Sequence, residues 1–397
     1  MNVLSNKILQ LEESATLAMA RKSRELSSKG YSIINLSLGE PDFNTPKFIK
    51  EAAKIAIDDN YSKYTPVPGY TDLLNVISKK FKRDNNLSYS NEQIVCSTGA
   101  KQSIAQLLMV LLNKGEEVIL PTPYWVSYEQ MITLADGKIN KIHTEIKNNF
   151  KITPKQLESS ISDKTKIFLF SSPCNPTGSV YSKSELNALA QVFKKYPHII
   201  IISDEIYEHI NFMDQHISIG SIKGLENQVV TVNGLSKGYA MTGWRFGYIG
   251  APKNIAKACV KMQGQLTSAT CSITQRAAIS ALSQDPSCTY EMKQEFKLRR
   301  NLLVDLLSNN HRMRLNKPDG AFYLFPDVSG YFKTKYKKYK ITNSTDLAMF
   351  LLEDAGVSTV AGSAFGNDKC IRISYAASRD QLKKASEKLN ESLNKLH

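Results

Sequence analysis

Lys237 lies among small residues in the stretch "NGLSKGYAMTGWR" (233–245), with Arg245 eight positions further on. Most lysines serve a solvated surface, but small residues and glycines leave room for backbone and ligand to approach closely. A lysine amine with a lowered pKa acts both as nucleophile and as base. Asp204 and Tyr207 follow the run "IIII" in "SDEIY" (203–207), so a carboxylate stands at the end of an apolar strand. Such an acid either caps the next segment or faces a ligand. Asn175 lies in "CNPTG", a composition that also makes an ordinary turn. "STGAKQS" (97–103) opens a helix whose free N–H groups favour a phosphate or carboxylate, although Ser97 or Thr98 could equally cap it. Arg372 interrupts the apolar strand pattern "CIRISYA" (370–376), where a charge is costly unless it is paired.

Strands that end in loops must hold these groups. "EEVILP" (116–121), "KIFLFSS" (166–172), "HIIIISDEIY" (198–207), "NQVVTVNG" (227–234) and "RFGYIGA" (245–251) are apolar enough for a sheet covered on both faces. Helices alternate with them: "YWVSYEQMITLA" has helical spacing, and "SKSELNALAQVFKKY" opens on a capping box from Ser182 to Glu185. The pattern predicts an α/β fold with a mostly parallel sheet. After about residue 290 the character changes. A long charged amphipathic helix (291–310) precedes short strands, "GAFYLFPDV" and "CIRISYA", and helices over 344–356 and 378–396, as in a small α+β domain. The expected division is 1–45, an N-terminal segment packing with the small domain, 46–290, the large domain, and 291–397, the small domain.

The chain of 397 residues is 42% hydrophobic and 22% charged, ordinary for a globular protein. No apolar run approaches the length of a membrane span, and the N-terminus lacks the form of a signal peptide. The six cysteines show no CxxC or CxH spacing, which argues against a zinc site and for reduced thiols in the cytoplasm. A net charge of +14 suits anionic small molecules as well as polyanions. "YFKTKYKKYK" (331–340) is read as a solvated loop, with no nucleic-acid motif beside it.

The order and spacing of the segments resemble the fold-type-I pyridoxal-phosphate aminotransferases of class I, in the bacterial aspartate aminotransferase subgroup. The resemblance rests on "LSLGEPDF" (36–43), "KYTPVPGY" (63–70), "STGAKQ", "PYWVSY" (123–128), "SSPCNPTG" (171–178), "SDEIYEH" (203–209), "TVNGLSKGYAMTGWR" (231–245), "GAFY" (320–323) and "IRISYA" (371–376), spread over nearly the whole chain. It implies a large domain with a seven-stranded sheet and a homodimer with shared active sites. The implied reaction passes the amino group of L-aspartate to the cofactor and then to 2-oxoglutarate, by a ping-pong route.

The resemblance also assigns roles. Lys237 matches the family's Schiff-base lysine and proton carrier, and Asp204 the carboxylate against the pyridine nitrogen. Asn175 and Tyr207 match the partners of the phenolic oxygen. Gly99, Ala100, Lys101, Ser236 and Arg245 would surround the phosphate, with Tyr64 reaching it from the other subunit. Trp125 would stack on the ring. Arg372 would take the substrate α-carboxylate with Asn175, and Gly39 would close over it. Lys101 is implied to bind the second carboxylate of aspartate or glutamate, beside Trp125. Members that also use prephenate carry a basic residue where this chain has Glu12, so weak or absent prephenate activity is expected. Aromatic, alanine and β-lyase chemistry remain alternatives on the same cofactor residues.

Overall fold

The alternating segments form the strands they predict, and the structure adds strands the sequence did not mark. The computed structural model describes residues 3–397. A short strand, β1 (Ile34–Asn35), precedes the main sheet, which comprises β2 (Ile94–Ser97), β3 (Glu117–Thr122), β4 (Lys138–His143), β5 (Thr165–Ser171), β6 (Ile200–Asp204), β7 (Val229–Gly234) and β8 (Gly247–Gly250). Their order across the sheet is β2-β8-β7-β6-β5-β3-β4. All neighbours are parallel except β8, which runs antiparallel to both β7 and β2. The carboxyl ends of the other six strands therefore share one edge. β4 was not legible as a strand: "KINKIH" is half polar because it lies at the sheet edge, bonded only to β3.

Burial on both faces follows from the alternation of side chains along each strand. Val118 and Leu120 pack with Ile104, Leu107 and Ile132 on one face, under the helices Ala100–Leu111 and Ser127–Leu134. Ile119, Phe168 and Ile201 pack with Leu186, Leu189 and Phe193 on the other, under the helix Lys183–Phe193. The capping box of that helix forms as read: the Ser182 hydroxyl accepts the Glu185 N–H at 3.3 Å, and the Glu185 carboxylate accepts the Ser182 N–H at 2.7 Å.

Beyond the helix Tyr290–Leu307, the strands β9 (Tyr323–Leu324), β10 (Thr334–Tyr336), β11 (Tyr339–Ile341), β12 (Val357–Ser358), β13 (Val360–Ala361) and β14 (Ile371–Ser374) form smaller sheets. β13-β14-β9 is antiparallel, and β12 pairs in parallel with β1. The helix Arg379–Asn394 packs Leu382, Leu389 and Leu393 into the same core as Phe296, Leu303 and Ile373. The basic run 331–340 is not a loop. β10 and β11 pair as a hairpin in which Thr334, Tyr336, Tyr339 and Ile341 turn inward and the lysines outward. Both tyrosine rings lie against Phe350. The period-two alternation was masked by the density of lysines.

Behind the carboxyl end of β6 lies a buried ion pair. Lys80, 0% exposed, donates to Glu208 and, at 2.7 Å, to Asn85, whose amide donates to the other Glu208 oxygen at 2.6 Å. The Lys80 and His209 charges hold Glu208 well below the usual carboxylate range against its burial. Glu208→Ala leaves the buried ammonium with only the more distant Asp84 carboxylate, at 3.8 Å, and is expected to cost about 3–5 kcal/mol in urea unfolding at neutral pH. Because the folded pKa is depressed, this stabilisation is complete above the ordinary glutamate pKa. It is lost as pH falls through the folded value, so the difference between variant and parent should narrow in acid.

Candidate active site

The loops at the carboxyl edge of the sheet enclose a cavity of about 300 Å³. Asp204 is the last residue of β6, Asn175 lies in the turn after β5, and the connection from β7 to β8 carries Ser236, Lys237 and Arg245. Ala100 and Lys101 enter from the helix after β2, Trp125 from the segment after β3, and Tyr207 from beyond Asp204. Gly39 and Arg372 close the cavity from the N-terminal and C-terminal parts of the chain. Tyr64 stays outside, 97% exposed.

Lys237 donates from Nζ to the Gly39 carbonyl at 2.6 Å. Burial pushes its ammonium down to about 8, with the Arg372 and Arg245 charges acting the same way and Glu40 opposing them. Asp204 is buried and accepts the Tyr128 hydroxyl at 2.6 Å and the Ile206 N–H at 3.2 Å. Burial raises it to about 6, although both hydrogen bonds favour the carboxylate. The Tyr207 and Tyr323 hydroxyls lie 2.8 Å apart, and burial first, then the neighbouring tyrosine, raises Tyr207 well above its usual value.

The start of the helix Ala100–Leu111 has no side-chain cap. Ser97 bonds instead to Ser103 and the Gly99 carbonyl, and Thr98 to Thr270, so the capping alternative does not hold. The Gly99 N–H is also engaged, by Ser97 O at 2.8 Å. What Gly99 contributes is space: with φ +86 and no side chain, it admits the Arg245 guanidinium where a Cβ would collide with it. Arg245 itself adopts φ 56, and its guanidinium donates to the carbonyls of Thr242 at 3.0 Å and Thr98 at 3.3 Å. Ser236 is buried beside it. Lys101 stands 5.3 Å from the centre of the Trp125 ring, and burial and the Arg245 charge lower its pKa.

Arg372, 1% exposed, is the largest fully buried side chain. It donates to Asn175 Oδ1 at 3.0 Å and Ser37 O at 2.5 Å, and its Nε has no partner among the described residues. Tyr323 and Phe365 lie against its guanidinium, with centroids 4.5 and 5.0 Å away. Among the described residues, Lys101, Lys237, Arg245 and Arg372 form no ion pair, although Asp204 shares their cavity. Four unpaired cations around one cavity make a site for a ligand with more than one anionic group.

Several residues of the site were not read from the sequence. Tyr128 and Tyr323 lie in segments quoted above but drew no role, because their partners are 76 and 116 positions away. Thr242 donates to Glu40, tying the lysine loop to the N-terminal segment, and Thr45 donates to Ala240 O at 2.7 Å. Ser14, Thr16 and Leu17 line the cavity mouth. Glu12, just before them, is exposed, and its N–H donates to Gln130 at 2.9 Å. Only the Glu12 position carried a signal, through the family resemblance.

Residues 31–389 match the family described as Aminotransferase class I and II, and the chain belongs to it. Among its relatives, it is 44% identical to a probable aspartate/prephenate aminotransferase of Rickettsia typhi, over 100% of both chains. It is 42% identical to the aspartate/prephenate aminotransferase of Cereibacter sphaeroides, over 98% of each. The structure superposes on the aspartate aminotransferase from Rhizobium meliloti with a TM-score of 0.96, at 37% identity and 99% coverage of both chains. The Thermus thermophilus aspartate aminotransferase solved with maleate gives 0.92, at 36% identity, covering 99% of this chain and 100% of that one.

Proposed function

We propose that this chain is a pyridoxal-phosphate-dependent aspartate aminotransferase, passing the amino group of L-aspartate to 2-oxoglutarate. The observation that carries the reading is the set of four unpaired cations facing a buried carboxylate across one cavity. The residues fit the cofactor. Arg245, Ser236 and the uncapped helix start at Ala100 and Lys101 suit its phosphate, and Asp204 suits a protonated ring nitrogen at the other end. Arg372, with an unused Nε, suits the substrate α-carboxylate, for which planar bidentate recognition is needed.

The cofactor supplies an electron sink for the charge left when the substrate loses its Cα proton. Asp204 would hold the proton on the cofactor's ring nitrogen. Lys237 would be the residue that holds the cofactor covalently, and its amine would serve as the base that carries the substrate Cα proton. A pKa lowered to about 8 leaves a useful fraction of that amine unprotonated near neutrality. Asn175 presents its oxygen to Arg372, so its amide N–H and the Tyr207 hydroxyl would be the groups to donate to the cofactor's phenolic oxygen. Trp125 would cover the cofactor ring, Gly39 would close over the substrate, and Lys101 would take the second carboxylate.

The exposed Tyr64, with the exposed Ile55 and Ile57 on the preceding helix, supports a homodimer in which Tyr64 completes the partner's phosphate site. The pairing of β1 with β12 supports grouping residues 1–45 with 291–397, apart from 46–290. No described helix is long and apolar enough to cross a membrane, and all six cysteines are free thiols; the proposed compartment is the cytoplasm.

Single-turnover absorbance of the loaded enzyme with aspartate, glutamate, alanine and phenylalanine, and of its aminated form with prephenate, tests the reading. Aspartate and glutamate should react fastest, and prephenate poorly, because Glu12 repels a second carboxylate near the mouth. A panel led by alanine or phenylalanine would overturn the assignment. In the same panel Lys101→Ala should lower kcat/KM for aspartate by about 10- to 100-fold, the worth of a hydrogen bond to a charged group. Alanine should be nearly unaffected; an equal loss would assign Lys101 to the phosphate.

A further inference from the structure

Asp204 is held by groups of two different elements. Ile206 N–H, on its own segment, serves Oδ1, and the Tyr128 hydroxyl, from the first turn of the helix Ser127–Leu134, serves Oδ2. Tyr128 is 1% exposed, and its ring stands edge-on to Trp125, with centroids 5.4 Å apart and planes at 89°. Packing explains the ring, which sits in the core with Ile132 and Leu169. It does not explain the hydroxyl, since a phenylalanine fills the same space without bringing a polar atom into the core. A hydroxyl buried here and aimed at one carboxylate oxygen fixes the rotation of that carboxylate.

We infer that Tyr128 is a positioning residue for Asp204, orienting its carboxylate toward the cofactor ring nitrogen through the hydroxyl hydrogen bond. This rests on the reading of Asp204 given above. The bond also favours the anion, because a donor to a carboxylate resists its protonation, and burial opposes it. The other titratable groups around Asp204 are Cys174 from the turn after β5, Lys237 from the loop after β7, and Glu205 and Tyr207 on its own segment. Of these, Glu205 disfavours the anion and Lys237 favours it, and neither contact depends on Tyr128. Removing the hydroxyl therefore moves Asp204 toward its neutral form at a higher pH than in the parent.

Tyr128→Phe, Asp204→Asn and the double variant test this, with pyridoxal phosphate affinity measured by equilibrium dialysis of the full-length protein from pH 6 to 8.5. Tyr128→Phe should weaken binding by about tenfold or more near pH 6.5, the scale of a hydrogen bond to a charged group, and by less at pH 8.5. In the Asp204→Asn background the same change should add less than about twofold, since the two residues act as one unit. Equal weakening at every pH, or a full additive loss in the double variant, would mean that Tyr128 only packs, and would overturn the inference while leaving the role of Asp204 intact. Unchanged affinity in Asp204→Asn alone would instead sink the reading of Asp204, and the inference with it.

Discussion

Lys237→Ala is expected to keep bound cofactor and lose turnover by at least about 10⁴-fold, the upper range for loss of a general acid–base. Cofactor should remain because its other proposed contacts are independent of the amine: the uncapped helix start, Ser236 and Arg245 at one end, and Asp204 at the other. Steady-state activity near that of the parent would refute the assignment of the lysine. The amine also has a signature that needs no turnover. In the cofactor-free protein, its rate of acylation should rise with pH and level off above about 8, following its own pKa. Surface lysines with the ordinary pKa near ~10.4 continue to rise beyond that point. Mass spectrometry of the tryptic peptide separates the two.

Arg372→Ala should lower kcat/KM for every amino acid alike, by about 10²- to 10³-fold, within the range for truncating one partner of a buried charge pair. The loss is common to all substrates because each carries the α-carboxylate. The alanine variant also strands the Ser37 carbonyl and the Asn175 oxygen and opens space between Tyr323 and Phe365. Arg372→Lys separates recognition from folding. It restores charge without the planar fork and should recover only part of the activity. A selective loss for aspartate and glutamate, with alanine spared, would move Arg372 to the second carboxylate.

The parts of the site that could be read from the sequence are those carried by contiguous residues. Lys237 and Arg245 share one loop, Asp204 and Tyr207 one strand end, and Ala100 and Lys101 one helix start, so local composition marks each pair. Tyr128 and Tyr323 could not be found this way. Their hydroxyls acquire meaning only when the fold brings distant segments together, and a tyrosine in an apolar helix reads as core. The same limit hid β4, whose polar edge breaks the apolar pattern, and the β10–β11 hairpin, whose alternation is buried in lysines. Gly99 was read as part of a phosphate loop through its free N–H, and that reason needs revision. Its N–H is engaged, and its missing side chain is what counts.

The reversal of β8 has a consequence for how the site is assembled. Because β8 returns antiparallel beside β7, the connection 235–246 closes a short loop, and loop-closure entropy is small for short separations. Lys237 and Arg245 are thus brought together by chain neighbours. Asp204, Asn175 and Arg372 meet them only through contacts of long sequence separation, which form at a larger entropic cost. A chain that has lost its strand order keeps the first pair close and scatters the second group. Tight binding of the cofactor therefore reports on the integrity of the whole topology, and the ligand in turn stabilises the only arrangement that can hold both of its ends.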